Sequence, residues 1–131
     1  HCDLLLSSAS FIKVLVSVLI GFYFACVDAV AYDRAVCLNS WCVEDDDSFN
    51  LTKGQALLAG YERVRPLTAA EVEALPQLCR GSALRFLVTR LVDWLNVPPG
   101  ALVKPLDPLE YDRRLVFHQR IVDAREYGLK R

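Results

Sequence analysis

The sequence has no methionine, two histidines, six glycines that never cluster, and no two cysteines in a C-x-x-C spacing. Each shortage excludes something. With no Met and a start at His1, the 131-residue chain is expected to be a piece of a longer protein. His1 and His118 are the only imidazoles, and Cys2, Cys26, Cys37, Cys42 and Cys79 include no C-x-x-C pair. A structural zinc site would need an unusual ligand set. Gly21, Gly54, Gly60, Gly81, Gly100 and Gly128 build no phosphate-cradling loop, and no V-A-I-K-like strand lies ahead of His1. A net charge of −1, from 15 basic and 16 acidic side chains, gives no field that would gather nucleic acid or an anionic membrane. Neither is expected as a partner.

What is present is apolar. Hydrophobic residues make up 53% of the chain and charged ones 24%, enough for one sizeable core and a single domain over residues 1–131. An odd number of cysteines scattered through apolar segments suits buried free thiols in a reducing cytosol, so a cytoplasmic location is expected. The run from Leu4 to Val27 imitates a membrane span or signal peptide, and Ala29-Val30-Ala31 imitates a cleavage site. Lys13 interrupts it, no basic region precedes it, and its β-branched and aromatic content reads as buried strand. A small secreted protein is the rival reading, and cleavage after Ala31 would be its mark.

Ala9 to Ile12 and Val16 to Phe24 read as two short strands of a hairpin turning near Lys13. From Ala29 to Val43 the period becomes helical, with Asp28 as N-cap. The acidic run Glu44-Asp45-Asp46-Asp47 ends that helix and reads as a solvated loop, since no glycine-punctuated calcium-loop spacing surrounds it. Thr52 opens a second helix to Arg65, halted by Pro66. Thr68 and Glu71 form a capping box for a long helix to Leu95, bent at Pro76. After a proline-rich loop, a last helix is expected from Leu109 to about Tyr127. The fold class is therefore α+β and mainly helical: a hairpin first, then about four helices.

The chemistry gathers at the start. His1-Cys2-Asp3 is an H-x-D triplet, and in kinases the Asp of such a loop accepts the substrate hydroxyl proton. An Asn five residues on and an Asp after the next strand normally hold magnesium; here those places carry Ser8 and Gly21. H-x-D, hairpin, then a helix bearing Ala31-Tyr32-Asp33 is the order of the C-terminal lobe of aminoglycoside-phosphotransferase-like kinases. Within that superfamily the chain resembles the bacterial homoserine kinases. The matching words are Ile20-Gly21-Phe22-Tyr23-Phe24-Ala25-Cys26, where the family has I-D-F-Y-F-A-C; Ala35-Val36-Cys37-Leu38-Asn39-Ser40-Trp41-Cys42; Phe49-Asn50-Leu51-Thr52-Lys53-Gly54; Leu57-Leu58-Ala59-Gly60-Tyr61; and Trp94-Leu95-Asn96 before Pro98-Pro99-Gly100-Ala101-Leu102.

The resemblance runs from residue 1 to about 129 and covers the second part of such an enzyme. It implies ATP-dependent phosphorylation of the L-homoserine hydroxyl, a step of threonine biosynthesis, with ATP and magnesium as the family's cofactors. It further implies that Asp3 is the catalytic base, that His1 shapes the loop, and that Asp33 braces that loop through backbone N–H groups. Residues 1–28 would be a catalytic-loop remnant with the hairpin, and 29–131 a helical subdomain. Gly21 offers no side-chain oxygen to a metal and Ser8 only a neutral hydroxyl, so the chain alone is expected to be inactive. A missing ATP-binding lobe would leave apolar surface open to self-association.

Arg85, Thr89 and Asp93 recur at four-residue steps on the long helix. An Arg fork could grip the homoserine carboxylate and an Asp its ammonium, although a solvated stripe with helix-internal ion pairs is the first reading. Trp41 and Trp94 are assigned to the core and His118 to an interface or the surface. The main rival to a degenerate kinase lobe is a non-catalytic module, or pseudokinase fragment, that binds a partner through its lobe-facing surface.

Overall fold

The computed structural model describes residues 30–130 in full and, ahead of them, the backbone of two strands. These are β1 (Ala9–Ile12) and β2 (Leu15–Leu19), paired antiparallel with Ala9 opposite Leu19 and Ile12 opposite Leu15. A register shift between Ser10 and Phe11 marks a bulge. Of the second strand expected from the sequence, residues 20–24 lie outside the described part. Four helices follow: α1 (Val30–Trp41), α2 (Leu51–Val64), α3 (Ala69–Leu95) and α4 (Leu109–Arg120), with a 3₁₀ turn at Ala124–Tyr127.

Local chemistry sets the helix limits. Asn50, rather than a residue inside the helix, caps α2 by accepting a hydrogen bond from the Lys53 amide. At the other end Arg65 is extended (φ −150°, ψ 105°), as the residue before a proline should be. Thr68 and Glu71 form the expected reciprocal capping box of α3, and this helix runs through Pro76 as one element. The last helix is shorter than the sequence suggests. Ile121 is extended after α4, and Asp123 with Glu126 forms a second capping box that starts a separate 3₁₀ turn ending at Gly128 (φ 98°). A strong cap signal inside an otherwise helical pattern thus overrides the period.

Helix α3 is the platform, contacting α1 on one side and α4 on another, while α2 and the 3₁₀ turn close the assembly. Ala31, Ala35, Leu38, Cys42, Leu58, Leu75, Cys79, Tyr127 and neighbours form one buried cluster, with Trp41, Phe49 and Phe117 packed against it. Burial of such side chains is worth about 1.5–3 kcal/mol each for the larger ones. Trp94 does not join the cluster; it is half exposed at the far end of α3.

Cys37, Cys42 and Cys79 are buried thiols, as expected. Burial pushes the Cys37 and Cys79 thiols up to about 12 and the Cys42 thiol to about 11, which removes them as nucleophiles. Cys2 and Cys26 lie outside the described residues. The acidic run is a tight loop, closed by a bridge between Val43 and Phe49, with Asp47 left-handed (φ 64°). Three of its carboxylates are engaged: Glu44 with Lys53 and Asn50, Asp46 with Ser48, and Asp47 with Arg113 of α4.

His118 is corrected outright. Its side chain is completely buried, not interfacial. Asn39 of α1 donates to the carbonyls of Ala35 (3.0 Å) and Cys79 (3.1 Å), which leaves Asn39 Oδ1 to accept from His118 Nε2 at 3.0 Å. His118 Nδ1 is then the acceptor for the Tyr127 hydroxyl, 2.8 Å away. One polar chain ties α1, α3, α4 and the 3₁₀ turn together.

Candidate functional site

Of the residues that the sequence singles out, Asp33 has a part-buried polar setting. It lies in the first turn of α1, where the helix dipole favours a carboxylate. The Tyr61 hydroxyl, reaching across from α2, donates to Asp33 Oδ2 at 2.8 Å. One turn further along α1 the Cys37 thiol stands 3.3 Å from the same hydroxyl oxygen. With the phenolic hydrogen committed to Asp33, that oxygen is left to accept from Cys37. Burial, reinforced by these two neighbours, holds the Tyr61 phenol far above its ordinary range, so it acts as a neutral donor.

Arg34, next to Asp33, turns away from it. Its guanidinium lies over the Tyr61 ring, 4.9 Å from the centroid, and one Nη donates to the Arg65 carbonyl at the end of α2. The side chain is wholly buried, and its Nε and other Nη have no hydrogen-bond partner among the described residues. Burial, with the nearby Arg65 charge, lowers its pKa from the ordinary guanidinium value. Arg34 and Tyr61 carry no functional signal in the sequence. Both fall at positions where the helical period places core, and the partner of Tyr61 is 28 residues away.

His1, Asp3, Ser8 and Gly21 lie outside the described residues. Arg85, Thr89 and Asp93 are all exposed on α3, and the Thr89 hydroxyl donates to the Arg85 carbonyl at 2.9 Å, within the helix. The Arg85 guanidinium lies 5.4 Å from the Phe86 ring centroid. Arg85 and Asp93 are eight positions apart on the helix, a displacement of about 12 Å along the axis and about 80° around it. The two can hold one small amino acid only if Arg85 extends along α3. Asp93 also borders a groove of about 320 Å³ with Val92, Asn96, Val97, Pro98 and Val103.

Magnesium would need carboxylate or amide oxygens. Among the described residues no three His, Cys, Asp or Glu side chains converge.

Residues 1–67 match the model of the phosphotransferase enzyme family, and the chain belongs to that family. Its relatives sharpen the class. Over 128 residues it is 66% identical to the homoserine kinase of Methylobacterium nodulans, covering 98% of this chain and 40% of that protein. The homoserine kinase of Azorhizobium caulinodans is likewise 66% identical over 129 residues, again 98% of this chain and 40% of the relative. That of Sinorhizobium medicae is 62% identical over 131 residues, all of this chain and 40% of the relative. The chain thus spans about 40% of the length of the curated relatives it matches. Among the described residues no helix is long and apolar enough to cross a membrane.

Proposed function

We propose that the chain is the C-terminal-lobe portion of a homoserine kinase whose metal-binding positions have degenerated. Identity above 60% to homoserine kinases across essentially the whole chain carries the reading. Residues 1–28 supply the catalytic loop and hairpin, and 29–131 the helical subdomain. In this reading Asp3 accepts the proton of the homoserine hydroxyl as that oxygen attacks the γ-phosphorus of ATP. His1 shapes the loop, and Asp33 holds it by accepting backbone N–H bonds. Arg85 and Asp93 face the carboxylate and ammonium of the amino acid. The three buried thiols support a reducing, cytoplasmic setting.

Magnesium normally neutralises the phosphate oxygens in this chemistry, and Ser8 and Gly21 cannot supply the oxygens that would hold it. The chain is accordingly inactive by itself. The test replaces the matching segment of the Methylobacterium nodulans enzyme with this chain and measures homoserine phosphorylation with and without Gly21→Asp plus Ser8→Asn. The repaired hybrid is expected to turn over and the unrepaired one to be slower by at least about 100-fold, the effect of losing several kcal/mol of transition-state stabilisation. Equal rates would mean that another residue supplies the metal ligand and that the chain is not degenerate; two dead hybrids would overturn the kinase reading.

A second reading, a binding module, is favoured by the far end of α3. Leu84, Val88, Leu91, Val92, Trp94 and Leu95 are exposed there, and Leu102 and Val103 follow in the adjoining loop. Monomeric proteins rarely present so continuous an apolar face. The occupant that this reading assigns is a second copy of the chain. Sedimentation should then find a dimer, and Leu91→Lys with Leu95→Lys should convert it into monomer.

A further inference from the structure

After α4 the chain turns back over the body as a strap, residues 121–129, and one side chain fixes where it leaves. Arg80 of α3 donates from Nε to the His118 carbonyl at 3.0 Å and from an Nη to the Ile121 carbonyl at 2.7 Å. The last carbonyls of a helix have no partner within it, and a planar guanidinium can take two of them at once. Beyond Ile121 the strap satisfies its own backbone. Glu126 accepts from the Val122 and Asp123 amides at 2.9 and 3.0 Å, and Asp123 accepts from the Arg125 amide at 2.8 Å. A segment capped from within keeps its shape when it moves. Its remaining hold on the body is the burial of Ile121, Ala124, Tyr127 and Leu129 and the 2.8 Å bond between Tyr127 and His118.

The strap lies directly on the first half of α2. A Cβ on Gly54 would stand 2.5 Å from the Tyr127 carbonyl oxygen, and one on Gly128 would stand 3.0 Å from the Gln55 amide nitrogen. Leu58 of α2 shares the core cluster with Leu129. Among the described elements α2 otherwise packs on α1 and makes no comparable contact with α3 or α4. The seam is incompletely filled, since a groove of about 510 Å³ follows it, lined by Thr52, Gln55, Ala59, Glu62, Leu129 and Lys130. We infer that residues 121–129 and the first half of α2 form one conformational unit latched by Arg80. When the strap lifts about Ile121, the end of α2 near Gly54 loses its cover and loosens with it, while α1, α3 and α4 stay packed. The other end of α2 remains tied to α1 through the Tyr61–Asp33 and Arg34–Arg65 bonds, which confines the motion. Local openings of this kind occur where few buried contacts have to be given up.

The test follows residue-resolved amide exchange and peptide-mapped alkylation of Cys79 in the intact chain, comparing wild type with Arg80→Met, Tyr127→Phe and Thr68→Ala. Cys79 is fully buried beside the Tyr127 hydroxyl, so lifting the strap uncovers it. Arg80→Met keeps the aliphatic stem and removes both carbonyl bonds; Tyr127→Phe keeps the ring and removes its bond to His118. Each is expected to speed Cys79 alkylation and exchange at amides 55–58 by the same factor, about tenfold or more, relative to amides 35–39 of α1. Thr68→Ala, which weakens the start of α3, should raise neither relative to α1. Faster alkylation of Cys79 with amides 55–58 unchanged would mean that the strap opens without α2, and the shared unit is wrong. A rise that α1 shares equally is global unfolding, and no rise in Arg80→Met leaves Arg80 without a latching role; either result overturns the inference.

Discussion

The imidazole of His118 and the phenol of Tyr127, nine residues apart in sequence, meet at 2.8 Å with both side chains fully buried. Burial, with Arg114 and Arg80 nearby, lowers the His118 pKa to about 4 from an ordinary value of 6.5. The folded protein therefore keeps His118 neutral over a range in which the unfolded chain protonates it. Between pH 6.5 and 4 the unfolded state binds the extra proton, so stability rises with pH in that window and is fully present above it. The contribution is about 3 kcal/mol. Urea unfolding at about pH 7.5 and about pH 4.5 should show most of that difference, and His118→Gln should flatten the profile while lowering stability at neutral pH.

Arg34 should be a liability. A buried guanidinium with two nitrogens lacking partners among the described residues carries an uncompensated desolvation cost. Replacement by a chain of similar volume, Arg34→Met, is expected to raise stability by about 1–4 kcal/mol. Thermal unfolding checks it; a lower Tm would mean that the charge is compensated.

Two glycines of α2 should respond oppositely to alanine. A Cβ on Gly54 would stand 2.5 Å from the Tyr127 carbonyl oxygen and 3.0 Å from the Phe49 ring, whereas a Cβ on Gly60 meets nothing within 4 Å. Gly60→Ala should stabilise the protein by about 0.5–1 kcal/mol through helix propensity. Gly54→Ala should cost about 1–3 kcal/mol, because backbone has to move. Chemical denaturation of the two variants gives the signs directly.

The start of α3 depends on one hydroxyl. Thr68 accepts from the Glu71 amide at 3.3 Å and Glu71 returns the bond to the Thr68 amide at 2.8 Å. The Arg65 guanidinium, with these bonds to Thr68, holds the Glu71 carboxyl down at about 2. Thr68→Ala should cost about 1 kcal/mol in an equilibrium melt.

Much of this is legible in the sequence because it is local. The capping box at Thr68, the stop at Pro66 and the three buried thiols each depend on residues within a turn or on plain hydropathy. The last helix looks too long in the sequence because an apolar period continues past Arg120, while the break depends on Asp123 and Glu126 satisfying each other's backbone. Residue type alone argues for Trp94 in the core; its exposure follows from α3 reaching beyond the helices that cover its first half. Residue type likewise argues for His118 near the surface, and the partners that bury it lie on α1 and the 3₁₀ turn.

The sequence by itself determined the family, the four helices and the Asp33 position, since motif words, caps and periodicity are carried by neighbours along the chain. Only the tertiary structure decided that Tyr61 holds Asp33, that Arg34 is buried over its ring, and that Asn39, His118 and Tyr127 form one buried chain. Those hydrogen bonds join residues 9 to 79 positions apart, and no local pattern encodes which distant polar group a folded helix will bring within hydrogen-bonding distance.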